Sequence, residues 1–102
     1  MIHGLLDATQ VVATVELDGA PHEVCCEAEA SHDRRTNLLT VRLHAFVRAM
    51  EQDHIGETAT PAWLPEPETV TESVDLDEAH EMAEDIFASW NRRVLAALPR
   101  NP

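Results

Sequence analysis

The feature that most constrains this chain is a pair of alternating apolar segments joined by a turn that few residue types can make. Val11, Ala13, Val15 and Leu17 point one way, and Thr14 and Glu16 point the other, as in a half-buried strand. Asp18-Gly19-Ala20-Pro21 follows. It is a turn signal because Gly adopts positive φ freely and Pro ends simple ladder pairing. From His22 to Ala30 the alternation resumes, with Val24, Cys26, Ala28 and Ala30 on one face and Glu23, Cys25, Glu27 and Glu29 on the other. A loop of two or four residues sets odd positions of the first strand against even positions of the second. The apolar faces therefore coincide under either register. Residues 1–10 read as a short lead-in with a helical turn around Leu5 and Leu6.

The second strong signal is at the other end. Ala79, Met82, Ala83, Ile86, Phe87, Trp90, Val94 and Ala97 recur every three or four residues, which predicts an amphipathic helix over 76–98. Asp75 followed by Glu78 reads as an acidic variant of the capping box. Asp77, Glu78 and Glu81 near its start and Arg92 and Arg93 near its end suit the helix dipole, and Pro99 stops it.

Between these elements the reading divides. Ser31 to Asn37 is a polar break. Over 38–52, a strand would alternate Leu39, Val41, Leu43, Ala45 and Val47 with Thr40, Arg42 and His44. A helix would align Leu39, Leu43, Phe46, Val47 and Met50. About fifteen residues suits a helix better than a strand, so helix is the expectation here. Residues 53–73 form a Pro- and Glu-rich acidic loop, since Pro61, Pro65 and Pro67 interrupt regular structure, and Thr69 to Val74 can add a short strand. The expected fold is a single α+β domain over 1–102. A small antiparallel sheet, with a third strand if 38–52 is extended, packs on the long C-terminal amphipathic helix.

After this hairpin, the run Val41-Arg42-Leu43-His44-Ala45-Phe46 resembles the corresponding helix of YaeQ-family proteins. The resemblance covers six residues and implies a nuclease-like fold. The lysine of a nuclease site has no counterpart in this Lys-free chain, so no site residue carries over.

Composition narrows the chemistry. All seven cationic side chains are Arg, and only three Gly are present. Without Lys there is no Schiff base and no P-loop lysine, and three scattered Gly build no phosphate cradle. No cofactor motif is expected. The adjacent Cys25 and Cys26 have neither disulfide-framework nor zinc spacing and read as two thiols in a reducing, cytoplasmic setting. The N-terminal residues lack the basic and apolar blocks of a secretory signal, and no apolar run reaches membrane-spanning length.

The formal net charge of −12 argues against direct nucleic-acid binding and is unevenly placed. Residues 51–85 hold twelve Asp and Glu and no Arg, whereas the rest of the chain balances seven acids against seven Arg. The expectation is a non-catalytic interaction domain of inhibitor, immunity or adaptor type that docks a basic protein surface. Its contact residues would be Trp63, Leu64, Glu66, Glu68, Glu72, Asp77, Glu78, Glu81, Glu84 and Asp85, although Trp63, in the rigid stretch between Pro61 and Pro65, reads first as a flap that covers the core. One alternative is a self-associating assembly subunit, a homodimer using hairpin edges and Trp63. Another is a metal-dependent enzyme built on His44, Glu51 and His54, with Glu-x-x-His spacing on one helical face. A third reading takes the acidity as adaptation to high salt.

Overall fold

Asp18 and Gly19 have φ of 53° and 78° and close the first hairpin in a two-residue turn. Positive φ at both central residues matches the right-handed twist of the flanking strands, and Asp-Gly is a favoured pair for it. In the computed structural model, which describes residues 2–50 and 60–99, this turn joins β1 (Ile2–Leu17) to β2 (Ala20–Asp33). Near the turn the register is the one read from the alternation, with Leu17 opposite Ala20, Val15 opposite His22 and Ala13 opposite Val24. Pro21 sits where the ladder to the next strand runs out, and its carbonyl accepts from the Met50 N–H at 3.2 Å.

The lead-in expected over residues 1–10 is strand from Ile2 onward. Irregularities between Val11 and Ala13 and between Gly4 and Leu6 each insert one residue into β1. An inserted residue reverses parity, so beyond Val12 the residues opposite Ala28 and Ala30 are the even-numbered Ala8 and Leu6. A period-two reading loses the strand at that point, although the ladder continues.

Residues 38–49 are also strand rather than helix. β3 (Leu38–Ala49) pairs antiparallel with β2 along its whole length. The long free edge of β2 presents N–H and C=O groups that a strand satisfies and a helix does not. Leu39, Val41, Leu43 and Ala45 are buried while Arg42, His44 and Arg48 are exposed, so burial follows period two. Phe46, which the helical stripe needed beside Leu43, lies on the other face opposite Cys25. The six residues that resemble a YaeQ-family helix thus lie within β3.

β4 (Glu68–Ser73) pairs with β3 and completes a four-stranded meander in the order β1-β2-β3-β4. The helix α1 (Leu76–Ala97) follows at once. Asp75 occupies its N-cap position, but the carboxylate does not cap it. That carboxylate accepts instead from the Asn37 side-chain amide, and Val74 N–H donates to the Asn37 carbonyl at 2.9 Å. Asn37, at φ 56°, therefore ties the β2–β3 turn to the start of the helix.

The result is two layers. Ala79, Ala83, Phe87, Trp90 and Val94 make the buried stripe of α1. It packs on Val24, Cys26, Ala28 and Ala30 of β2 and on Leu39, Val41, Leu43 and Ala45 of β3 within one apolar cluster. Trp90 Nε1–H donates to the His44 carbonyl at 3.1 Å, and Asn91 donates to Gln10 at 2.9 Å. The helix thus lies over the middle of the sheet, with Asn91 reaching Gln10 of β1 on one side and Arg93 reaching Glu68 of β4 on the other. The α+β class and the amphipathic C-terminal helix are as expected, and both optional strands, over 38–49 and at Glu68–Ser73, are formed.

Candidate functional site

The two faces of the sheet differ in kind. On the face away from α1, β2 and β3 set Glu23 opposite Arg48, Glu27 opposite His44 and Glu29 opposite Arg42. Glu23 and Arg48 are 3.2 Å apart in an ion pair. Opposite-charge neighbours across a ladder each contribute a few tenths of a kcal/mol, up to about 1. This face also carries one apolar pair, Cys25 with Phe46, beside Val11, and β1 adds carboxylates to it, with Asp7 opposite Glu29 and Glu16 near the turn.

The other concentration of charge lies on the helix and β4. The buried stripe of α1 faces the sheet, and at 3.6 residues per turn Asp77, Glu81, Glu84 and Asp85 fall on the opposite, outward side. Glu66, Glu68 and Glu72 extend the acidic surface along β4 and the segment before it. All eight expected acidic contact residues, these seven and Glu78, are exposed. Two are engaged locally. Glu68 is ion-paired with Arg93, and Glu84 lies 3.6 Å from the His80 ring. Arg93 also lies 5.4 Å from the centre of the Trp90 ring, so one guanidinium bridges β4 and the helix.

The apolar members of the expected contact set sit elsewhere. Leu64 is 7% exposed and belongs to the core cluster, and Trp63 is half-buried against it. Their segment folds back on itself through a Leu64 N–H bond to the Pro61 carbonyl at 3.2 Å. Both side chains help cover the core, leaving the acidic carboxylates as the accessible part of that set.

Of the metal-ligand candidates, His44 is exposed on β3, where the helical face that would align it with Glu51 and His54 does not exist. Glu51 and His54 lie outside the described residues. Among the described residues no group of three or more His, Cys, Asp or Glu is arranged to hold a metal ion. The most notable histidine is one the sequence did not single out. His32 is fully buried, and its Nε2–H donates to the Val74 carbonyl at 2.6 Å, pinning β2 to the β4–α1 junction. Its alternation with Ala28 and Ala30 was the available signal, since it falls on the same strand face.

Cys25 and Cys26 are free, fully buried thiols on opposite faces of β2. Burial pushes the Cys26 pKa up to about 11, with the neighbouring Cys25 adding to the effect. Burial also raises that of Cys25, against a lowering by Arg48 and a further rise from Glu23. A thiol held protonated is a poor nucleophile and a poor metal ligand.

The cavities are open depressions, among them one of about 590 Å³ over the β1–β2 ladder at Leu6 and Ala30 and one of about 580 Å³ beside Pro21 and Leu98. A groove of about 230 Å³ between β4 and α1 is floored by Leu43, Val70, Ile86 and Trp90, with Glu68 and Arg93 at its rim. It is below the usual range for a small-molecule pocket, roughly 300–1,000 Å³. No helix among the described residues is long and apolar enough to cross a membrane. Comparison with protein families, curated proteins and solved structures finds no match for this chain.

Proposed function

We propose that this chain is a non-catalytic interaction domain that docks a basic protein surface through the acidic ridge of α1 and the adjoining β4. One observation carries the reading: Asp77, Glu78, Glu81, Glu84 and Asp85 crowd the N-terminal half of one helix, all of them exposed. Aspartate and glutamate in the first turn are stabilised by the helix dipole. Glu81, Glu84 and Asp85 lie beyond that turn, and their mutual repulsion works against the fold. A basic partner surface would relieve that repulsion on binding and would be drawn in by the field.

Two features favour docking over catalysis. The acids stand on a convex ridge, and the nearest groove is small and mostly apolar. Arg92 lies further along the same outward side of the helix, so the ridge is polar along its length and would orient a partner as well as attract it.

The test is capture of partners from a lysate of the source cells on immobilised protein at low and high salt. A basic protein should be retained at about 0.05 M NaCl and released by about 0.5 M, as screening shortens the Debye length severalfold. The combined variant Glu78→Gln, Glu81→Gln, Glu84→Gln, Asp85→Asn should lose it while keeping the wild-type circular dichroism. Retention by that variant, or capture indifferent to salt, would count against the reading.

A further inference from the structure

Two imidazoles share the helix side of the sheet. His3 of β1 lies directly opposite His32 of β2 in the ladder, and residues so paired share a face with Cβ atoms about 4.5–5.5 Å apart. That face is the one α1 covers, because His32 follows Ala28 and Ala30 of the core cluster at two-residue intervals. Each ring has one nitrogen that is closed to solvent and has no hydrogen-bond partner among the described residues, Nε2 in His3 and Nδ1 in His32. Buried polar atoms are nearly always paired, so two orphans on one cross-strand pair call for an explanation.

The tautomer of His32 is fixed by its one bond. Nε2 carries the proton given to the Val74 carbonyl at 2.6 Å, which leaves the lone pair of Nδ1 unused. Metal-ligating histidines have this arrangement, one N–H tied to a carbonyl and the other nitrogen free. The bond holds the ring in place and makes the lone pair more basic. Cβ atoms as close as those of a cross-strand pair let two imidazoles share one ion, since each metal–nitrogen bond is about 2.0–2.1 Å long.

We propose that His3 and His32 bind a monovalent copper ion, Cu(I), between β1 and β2. The donor set selects the ion. Imidazole nitrogen suits copper and zinc, whereas magnesium and calcium take oxygen. Zinc takes four ligands, and among the described residues no third histidine, cysteine or carboxylate joins these two. On this face His32 is flanked by the buried Ala30 and Leu39, and Glu72 lies beyond Leu39 on β4. Cu(I), with its filled d shell, is satisfied by two nitrogen donors in line. Its single charge also costs less to bury than the double charge of zinc.

The ion closes the end of the ladder farthest from the hairpin turn. Beyond the irregularity between Gly4 and Leu6, only Ile2, His3 and Gly4 of β1 are paired with β2. A bridge from His3 to His32 secures that end, and through Val74 it reaches the junction from which α1 starts.

Anaerobic titration of the full chain against the Cu(I) complex of bicinchoninate, whose colour fades as copper is withdrawn, tests this. The chain should take up one Cu(I) ion, and X-ray absorption should show nitrogen neighbours and no sulfur. His32→Gln keeps an N–H for the Val74 carbonyl but lacks the Nδ1 lone pair, and should weaken uptake at least ~100-fold with unchanged circular dichroism. Should His32→Gln fail to fold, His3→Gln, near the end of β1, carries the same expectation. His44→Gln, on the other face, should leave uptake unchanged. No withdrawal of copper would overturn the proposal. So would sulfur among the copper neighbours, which would point to Cys25 or Cys26, or uptake kept by either the His3 or the His32 variant. Neither histidine belongs to the acidic ridge, so loss of copper uptake and loss of partner capture are separately readable.

Discussion

Cys25 and Cys26 are neighbours with no access to solvent, and each is hidden by a different layer. Cys26 lies in the cluster under α1, whereas Cys25 lies on the other face between Val11 and Phe46. The alternation had placed Cys25 on a polar face, and only its cross-strand neighbours account for its burial. The Cys26 thiol ionises near 9 in the unfolded chain and is pushed up to about 11 in the fold. The folded state then holds a proton that the unfolded state has lost, so stability falls as pH rises from about 9 to about 11. Urea denaturation at pH 8, 9, 10 and 11 should show that decline, and Cys26→Ala should be less stable at pH 8 but lose less over the same interval. A steeper decline in the variant would contradict this assignment.

At the level of elements, the hairpin turn is the local structure most dependent on single residues. An added Cβ at Gly19 would meet nothing within 4 Å, so any cost of substitution there is conformational. At φ 78° that cost is about 1 kcal/mol for Ala, since non-glycine residues resist the left-handed region. Gly19→Ala should therefore lower the urea midpoint by an amount equivalent to about 1 kcal/mol, and Asp18→Gly should change it by only a few tenths. Equal effects at the two positions would mean that the turn does not limit the hairpin.

The elements also differ in how readable they were. The C-terminal helix was legible almost to the residue because its stripe is long and uninterrupted. The strand from Ile2 was missed because one inserted residue at Val12 breaks the alternation. Helix was preferred over 38–52 because length was weighed without the partner. A strand of twelve residues is reasonable once β2 offers a fourteen-residue edge to pair with.

On the scale of the whole molecule, the net charge of −12 is carried by the segment 51–85, in which the acids of the helix and β4 have no Arg among them, while the rest of the chain balances acids and Arg in number. A localised acidic docking surface, unlike a uniform acidic coat, does not make the fold depend on molar salt. The chain should give the same circular dichroism at about 0.05 M and about 0.5 M NaCl. Its stability should rise by no more than about 1 kcal/mol as the acidic ridge is screened. A requirement for molar salt to fold would instead identify the acidity as solvent adaptation and weaken the docking proposal.

By itself the sequence determined the α+β class, the Asp18-Gly19 hairpin, the helix and the segregation of acids into residues 51–85. These follow from local periodicity, turn chemistry and charge, which need no knowledge of neighbours. Only the tertiary structure decided that 38–49 is a strand, that Asp75 binds Asn37 rather than capping the helix, and that Leu64 lies in the core. Each of these depends on a partner distant in sequence, so the residue types alone could not choose among the contacts open to them.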